Sequence, residues 1–384
     1  MKSYPSHVFA PLFFVVLFLS GVSPASDLSW APIDQGVVAA FEGQTPAPDA
    51  PFPCSYLDVD AGAPTQTASD CGLTESCYSS CCTVPRCSIW TIDYLVRPYF
   101  DSHTSYQFGT SPNDPDWPPP GYAPLSKLTF GLDSTWTGLR VGLQRPDAAV
   151  HFEWLAPLQQ NINGNMVDYD WNINVPRNDP TRLDSMTLSS ERWNEGQMLD
   201  LGLDVKATDG VLGMPIEIWP MIGFRWQRFN ITASGLDYRV PPLGPQPQYD
   251  GVDVITFSQQ YYLLYVGGQL RTEWWCLGRP VALKFQGDWS GTWGYNVDHH
   301  LLRSGGDRYT MEGTSGGATH LALIAEIPVM QNIIVGIQAD HLAIHTTGWH
   351  RMYWPSQGAD LKWTNGVEVN SSQTSITAFL RACF

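Results

Sequence analysis

The sequence has no long apolar run beyond its N-terminus and few charged residues, and both shortages narrow the fold class. After the first 25 residues, no window holds 18 or more consecutive apolar residues, which excludes a membrane-spanning helix. Only 15% of the residues are charged, with 21 Lys and Arg against 37 Asp and Glu. The formal charge of −16 predicts a surface that repels nucleic acid and attracts cationic peptides or proteins, although acidity that serves solubility alone explains it equally well.

The N-terminal residues have the pattern of an export signal. Lys2 precedes an apolar stretch from Val8 to Leu19, and the small residues Ser23 and Ala25 follow. This order predicts a secretory signal peptide over residues 1–25 that is cleaved after its last residue. If the exported protein lies in a membrane, it must cross with strands.

Residues 26–87 are rich in Pro, Ala, Asp and Cys and show no sustained periodicity, which predicts a periplasmic extension outside the main fold. In an exported chain its clustered cysteines favour disulfides, with 15 possible pairings if all six bond internally. A zinc site is the weaker alternative, because the stretch contains no His and its spacings do not form two Cys-x-x-Cys halves. We therefore predict no metal site. The six cysteines are Cys54, Cys71, Cys77, Cys81, Cys82 and Cys87.

Residues 88–384 change to runs of about ten residues with alternating polarity. In the run 281–293 the odd positions are apolar and the even ones polar, and the even face continues without a slip to Asn296, Asp298 and His300. An apolar-out, polar-in repeat of this length is typical of a transmembrane β-barrel. We therefore predict an all-β fold, a ten-stranded antiparallel transmembrane barrel. The predicted strands are 89–101, 125–143, 148–158, 197–208, 214–234, 256–275, 280–297, 317–329, 332–346 and 372–384.

The predicted connections alternate between short and long. In bacterial barrels short turns lie on the periplasmic side and long loops lie outside the cell, so the alternation predicts an outer-membrane protein with long extracellular loops. The short connections are 144–147, 209–213, 276–279 and 330–331. The long ones include 171–196, 235–255, 298–316 and 347–371.

Two pairs of polar residues each skip one residue at the outer ends of predicted strands. They are Asp168 with Asp170, in NGNMVDYDW, and Asp298 with His300, in NVDHH. On a strand this spacing places both members of a pair on one face, and the alternation places the second pair on the polar, lumen-facing side. His299 lies between them in sequence and is expected to point to the opposite face.

The first pair requires a change of register in the strand before it. Its members occupy even positions, whereas His151 and Glu153 imply an odd polar face. Pro157 and the turn at Gly164 permit a break between the two segments.

These motifs resemble the omptins, a family of outer-membrane endopeptidases. The resemblance rests on the string NMVDYDW at 165–171, on the Asp-x-His pair after the strand residues 290–293, on the ten strands and on the terminal Phe384. It covers about residues 89–384. It implies a site that faces the outside of the cell and acts on peptide or protein substrates.

The resemblance also implies the roles of the two pairs. Asp168 and Asp170 would form one side of the active cleft, Asp298 and His300 the other, and a water between them would attack the scissile carbonyl. Histidine is the natural general base near neutral pH, so His300 is expected to be the base and Asp298 to fix its tautomer. Two adjacent carboxylates cannot both ionise cheaply, so the Asp pair is expected to hold one proton.

Other readings of the same residues stay open. A lone Asp-x-Asp in a Gly- and Asn-rich loop is more often a turn or a weak Ca²⁺ ligand, and a lone histidine is more often a surface residue. The protein could be a catalytically inactive barrel that serves as an adhesin or structural protein, or a metal-dependent hydrolase. A general porin is disfavoured, because ten strands enclose a lumen largely filled by side chains.

Substrate and lipid contacts follow from the resemblance as well. Many omptins carry an acid two residues before the Asp of the Asp-x-His pair, where it helps to receive a basic side chain, and Asn296 stands here instead. Lipopolysaccharide is the implied activator, with Arg228 as the candidate binding residue, and no other cofactor is expected. Trp226 and Gln260 replace an acid and an Arg of the family, and Arg228 is also explained as an interfacial residue that snorkels.

Overall fold

The computed structural model describes residues 54–56, 88–109, 124–171, 183–211, 214–276 and 279–384. The chain divides into two compact units, Met1–Tyr56 and Leu57–Phe384. In the first unit only strand β1 (Cys54–Tyr56) is described. The predicted signal peptide and nearly all of the Cys-rich extension, with its disulfides, lie outside the described residues and stay predictions. Among the described residues, no helix is long and apolar enough to cross a membrane.

The second unit is built from antiparallel strands, most of them long. Its strands are β2 (Ile89–Phe108), β3 (Ser126–Gly131), β4 (Thr135–Gln144), β5 (Ala148–Pro157), β6 (Asn161–Trp171), β7 (Leu183–Val205), β8 (Glu217–Val240), β9 (Gly244–Pro245), β10 (Asp253–Cys276), β11 (Arg279–His300), β12 (Arg308–Met330), β13 (Ile333–Trp354) and β14 (Ala359–Cys383). Single 3₁₀ turns occur at Pro247–Tyr249, Arg303–Gly305 and Pro355–Gln357.

Ten of these strands form a closed antiparallel ring. The ring order is β2, β14, β13, β12, β11, β10, β8, β7, β5 and β4, and β4 pairs again with β2. Trp90, at the start of β2, and Phe384, which follows β14, exchange backbone hydrogen bonds of 3.2 and 2.9 Å. The predicted ten-stranded antiparallel barrel is therefore confirmed.

Side-chain burial on β11 confirms the predicted alternation. The even-numbered Asp288, Thr292 and Asp298 are buried inside the ring, whereas Trp289 and Trp293 are each 50% exposed on its outside. An apolar outer belt of this kind is what a barrel presents to lipid. It covers the half of the barrel nearest the short turns, with members such as Trp90, Trp154, Leu203, Leu264, Leu323 and Ile337.

The strands extend much further from the belt than predicted. Most of the segment 347–371, predicted as a loop, continues β13 to Trp354 and starts β14 at Ala359. The alternation fades there because polar residues occupy both faces of these outer strand ends. We call the strand ends beyond the belt the distal half of the barrel.

The distal half contains two extra strands that the sequence did not resolve. The predicted strand 125–143 is two strands, β3 and β4, separated at residues 132–134. β3 pairs with the outer part of β2, β6 pairs with the outer part of β7, and β3 and β6 pair with each other. They fill the gap between β2 and β7 beyond the ends of β4 and β5.

A register break, which the sequence around Pro157 and Gly164 permits, is present before the Asp pair. β5 ends at Pro157, and β6 begins at Asn161 as a separate strand with its own partners. Gly164 adopts a φ of +125°, a conformation that favours glycine. Because β6 does not continue β5, the orientation of Asp168 and Asp170 is independent of His151 and Glu153.

Inside the belt, the barrel contains a cluster of ion pairs, most of them buried. Arg225 bonds Asp288 at 2.6 Å and Asp200 at 2.7 Å, while Arg381 bonds Asp93 at 2.8 Å and Glu326 at 2.9 Å. We call this cluster the lumen network. It also contains Arg97, Arg140, Glu153, Lys284, His320 and Asp340.

Candidate functional site

The two predicted pairs lie in the distal half, beyond the lumen network. Asp298 and His300 occupy the end of β11, where the strand period directs both inward. The Nε2 atom of His300 lies 3.0 Å from Oδ2 of Asp298, and both side chains are buried. The pair is therefore an oriented carboxylate–imidazole dyad, as predicted from the spacing.

A tyrosine that the sequence did not indicate also binds this dyad. Tyr106 on β2 is fully buried, and its hydroxyl donates a hydrogen bond to Oδ2 of Asp298. The tyrosine ring stacks on Phe257 at 5.9 Å, and Phe257 stacks on Phe130 at 4.1 Å. This aromatic column holds the hydroxyl in place.

The electrostatic surroundings keep Asp298 ionised. Burial opposes its charge, but the adjacent His300 and the hydrogen bonds from His300 and Tyr106 outweigh that cost and lower the pKa of Asp298. Burial raises the pKa of Tyr106 well above its usual value, and the charges of Asp298 and Glu312 add to the effect. Tyr106 therefore stays protonated and remains a donor.

The Asp pair occupies β6, which β3 and β7 flank. Asp168 is buried, and the Ser126 hydroxyl lies 3.5 Å from its Oδ1. Burial raises the pKa of Asp168 to about 7, and the neighbouring Asp170 charge contributes to the rise. Near neutral pH the pair therefore shares a proton, in line with the expectation for two adjacent carboxylates.

An arginine missed by the sequence analysis lies against the Asp pair. Arg303 is in the 3₁₀ turn that follows β11, and its Nη2 atom lies 3.6 Å from Asp168 Oδ2 and 3.7 Å from Asp170 Oδ2. Its side chain is 45% exposed. His299 turns away from the dyad, as predicted, and its Nε2 lies 2.7 Å from the carbonyl oxygen of Gly306.

One cleft brings these groups together. It has a volume of about 200 Å³ and is lined by Asp168, Asp170, His300 and Arg303. Its remaining walls are largely apolar or tyrosine side chains, including Met166, Leu236, Tyr238, Tyr249, Ile255 and Leu302. A space of this size accommodates a water molecule and a substrate side chain between the two pairs.

Asn296 lies one inward position below Asp298 on β11, and it is buried. Its cross-strand neighbours are Gln259 on β10 and Glu312 on β12. Glu312 in turn pairs with His350, at 2.9 Å between Oε1 and Nδ1, and both are fully buried. Alternation along β12 and β13 was too weak in sequence to predict this second carboxylate–histidine pair.

Burial raises the pKa of Glu312, although His350 opposes the rise. Glu312 therefore places a carboxyl group next to Asn296, the residue that stands where the family resemblance implies an acid. The carboxylate reaches this part of the lumen from a neighbouring strand.

Arg228, the predicted lipid-binding residue, lies on β8 at the barrel surface. Its side chain is 37% exposed, and Nη2 lies 3.4 Å from Glu195 Oε2 on β7. Trp226 stands where the family resemblance implies an acid, and Glu195 lies beside Arg228 on the adjacent strand. Gln260 is the cross-strand neighbour of Arg228 on β10.

Within the described ranges, no group of three or more His, Cys, Asp or Glu side chains is arranged to hold a metal ion. The two pairs of the cleft come from separate strands, β6 and β11. The chemistry that these residues offer is proton transfer and charge stabilisation.

The fold is similar to that of a known outer-membrane enzyme. The structure of the outer membrane protease OmpT from Escherichia coli matches with a TM-score of 0.62 at 16% sequence identity, over 77% of this chain and 97% of that chain. A Pseudomonas aeruginosa FadL homologue covers 77% of this chain and 90% of its own at 9% identity, but its TM-score of 0.20 carries no argument. No family model matches the chain, and no curated protein matches its sequence. At this identity the likeness to OmpT establishes the barrel fold alone.

Proposed function

We propose that this protein is an omptin-like outer-membrane endopeptidase. The observation that carries the proposal is the cleft in which Asp168 and Asp170 face His300, itself paired with Asp298 at 3.0 Å. The similarity of the barrel to a known outer-membrane protease supports the same conclusion. The apolar belt supports insertion in the outer membrane, with the distal cleft open to the outside of the cell.

The reaction begins with a water molecule between the two pairs. His300 takes a proton from this water, and the water oxygen attacks the carbonyl carbon of the scissile peptide bond. Asp298 stabilises the imidazolium that forms, and Tyr106 holds Asp298 through its hydroxyl. The tetrahedral intermediate then breaks its carbon–nitrogen bond, and His300 returns the proton to the leaving amine.

The Asp pair orients the water from the opposite side. With one shared proton, it can accept a hydrogen bond from the water and donate one toward the substrate carbonyl. The pKa of Asp168 is raised to about 7, so this singly protonated state persists up to about neutral pH. Above that pH both carboxylates ionise, so the proposal predicts that activity declines.

Peptides and proteins are the proposed substrates, and the acidic chain favours cationic ones. Asn296, one inward position below Asp298 on β11, is the proposed substrate-binding residue. Lipopolysaccharide is a proposed activator through Arg228, although Glu195 neutralises part of that arginine's charge.

Cleavage of internally quenched peptides by the refolded full-length protein tests the proposal. Wild type should release fluorescence, and Asp168→Asn and His300→Ala should reduce kcat/KM at least 100-fold. His320→Gln, in the lumen network, is the matched control and should retain activity. Equal fluorescence release from wild type and both site variants would support an inactive adhesin or structural barrel instead.

Two additions to the assay separate the remaining alternatives. A chelator should leave the rate unchanged, because the proposed chemistry uses only carboxylates and imidazole, whereas loss of activity indicates a metal-dependent hydrolase. Addition of lipopolysaccharide should raise the rate of wild type more than that of Arg228→Gln. Equal stimulation of both proteins excludes Arg228 as the lipid contact.

A further inference from the structure

Arg303 is the one cation among the described residues that line the cleft between the two pairs. It lies three residues beyond His300, in a turn closed by Gly306 at a φ of +86°. The turn follows directly from β11, so the strand that positions the general base also positions the guanidinium. Its location depends on the same backbone as the dyad.

The contacts of Arg303 differ from those of a structural arginine. Its distances of 3.6 and 3.7 Å to the two carboxylates exceed a direct hydrogen bond. By contrast, Arg225 in the lumen network makes hydrogen bonds of 2.6 and 2.9 Å to Asp288. Because Arg303 is also half exposed, its ion pairs contribute little to stability. Its planar donors remain available to a molecule that enters the cleft.

We propose that Arg303 is a catalytic residue that binds the carbonyl oxygen of the scissile bond and stabilises the oxyanion formed there. The proposal rests on the proposed endopeptidase function. It places a permanent positive charge at the carbonyl oxygen, which neither the Asp pair, with its single shared proton, nor the Asp298–His300 dyad supplies.

The charge develops in one defined step. As the water oxygen forms its bond to the carbonyl carbon, the carbonyl π-electron pair moves to the carbonyl oxygen and a water proton moves to His300. The oxygen then carries a full negative charge, which a guanidinium can meet with two N–H donors. When the carbon–nitrogen bond breaks, the electron pair on the oxyanion re-forms the carbonyl double bond, and the proton goes from His300 to the leaving amine.

Pre-positioned donors of this type typically contribute 10²- to 10³-fold to kcat. The two carboxylates hold the guanidinium close to the cleft before substrate arrives, so little reorganisation is needed during the reaction. They also keep it loosely bound, which leaves it free to move toward the oxyanion. The pairing of Arg303 with the Asp pair is therefore the resting arrangement of a catalytic group.

The test is a kinetic comparison of Arg303→Met, Arg303→Lys and Arg303→Ala with wild type on one quenched peptide. Arg303→Met should lower kcat about 10²- to 10³-fold with KM changed less than threefold, since the contact forms only in the transition state. Arg303→Lys should recover part of the loss. Added guanidinium ion should restore activity to Arg303→Ala in a saturable manner.

The matched control is Arg351→Met, which removes an exposed arginine bound to Asp360 outside the cleft. It should leave kcat unchanged, and melting temperatures of all variants in detergent should match wild type. An increase in kcat for Arg303→Met would identify an autoinhibitory contact and overturn the proposal. Unchanged kcat, or a loss confined to KM, would also overturn it.

Failure of the endopeptidase function gives a different result. In that case wild type itself cleaves no peptide, and the comparison with Asp168→Asn and His300→Ala detects the failure first. If wild type is active and depends on those residues, only the role of Arg303 is in question.

Discussion

The lumen network and the cleft use the same types of residue in opposite ways. In the network, Arg225 lies between Asp200 and Asp288 and hydrogen-bonds both, and Arg381 does the same for Asp93 and Glu326. In the cleft, two carboxylates lie side by side, and the cation beside them is beyond hydrogen-bond distance. Closely paired charges stabilise a fixed structure, whereas loosely paired ones stay available for chemistry.

The difference also separates two histidines of the same lumen. His320 lies between Asp288 and Asp340, at 2.8 and 3.2 Å, and both of its nitrogens are engaged. His300 bonds a single carboxylate through Nε2 and borders the cleft. An imidazole must be able to exchange a proton with a substrate or water to act as a base. Only the arrangement of His300 permits it.

The largest expected effect is on catalysis. His300→Ala should lower kcat/KM by 10²- to 10⁴-fold, because it removes the general base, and should leave the melting temperature within a few degrees of wild type. His320→Gln should have the reverse pattern, a lower melting temperature and nearly normal kcat/KM. Measuring kcat/KM and the melting temperature of both variants tests whether His300 serves catalysis and His320 serves stability. A large loss of kcat/KM in His320→Gln would contradict this distinction.

The second prediction concerns stability. Arg225→Met leaves the buried Asp288 and the half-buried Asp200 without their shared partner, so we expect a loss of about 3–5 kcal/mol in the free energy of unfolding. The measurement is reversible denaturant unfolding in detergent micelles or lipid vesicles. A loss below ~1 kcal/mol would show that the network tolerates unpaired charge and is not the rigid part of the barrel.

The third prediction uses the raised pKa of Asp168. Its folded value of about 7 lies above the unfolded value of ~3.9, so its stabilising contribution is complete below about pH 4 and is lost as pH rises through 7. Asp168→Asn should therefore be more stable than wild type at pH 8 by about 2–4 kcal/mol.

The control for this prediction repeats the stability measurement on both proteins at low pH. The difference between Asp168→Asn and wild type should shrink toward zero at pH 4. Burial also raises the pKa of Glu191 to about 8, but this residue is present in both proteins and cancels. A difference that is constant with pH would indicate that Asp168 is ionised throughout.

The smallest effect on stability is expected at an exposed ion pair in the distal half. Arg351→Met breaks an exposed ion pair with Asp360, with N–O distances of 2.7 Å, and should leave the free energy of unfolding nearly unchanged, because water and salt screen an exposed pair. The same denaturant experiment as for Arg225→Met measures it. A loss as large as that of Arg225→Met would mean that burial does not separate the two groups of ion pairs.

Local patterns predicted much of the site. The alternation on β11 correctly predicted that Asp298 and His300 share a buried face with Asp288 and Thr292. The skipped residue in each pair was sufficient because strand geometry fixes the direction of alternate side chains. The difference in parity between Glu153 and the Asp pair also indicated where a break could occur, and the Asp pair lies on the separate strand β6.

Contacts between distant segments were not predictable in this way. Tyr106 and Asp298 are 192 residues apart, and only the closure of the ring brings them together. Glu312 and His350 occupy adjacent strands whose polarity does not alternate clearly. Arg303 lies in a turn, where no strand period indicates the direction of a side chain.

The sequence by itself determined the barrel, the number of strands in its ring and the faces on which the paired residues lie, because these depend on a two-residue period that is local to each strand. Only the tertiary structure decided which pairs meet, how far the strands extend and which charges remain loosely paired. Those properties depend on register between strands and on burial, and both arise from the closed ring as a whole.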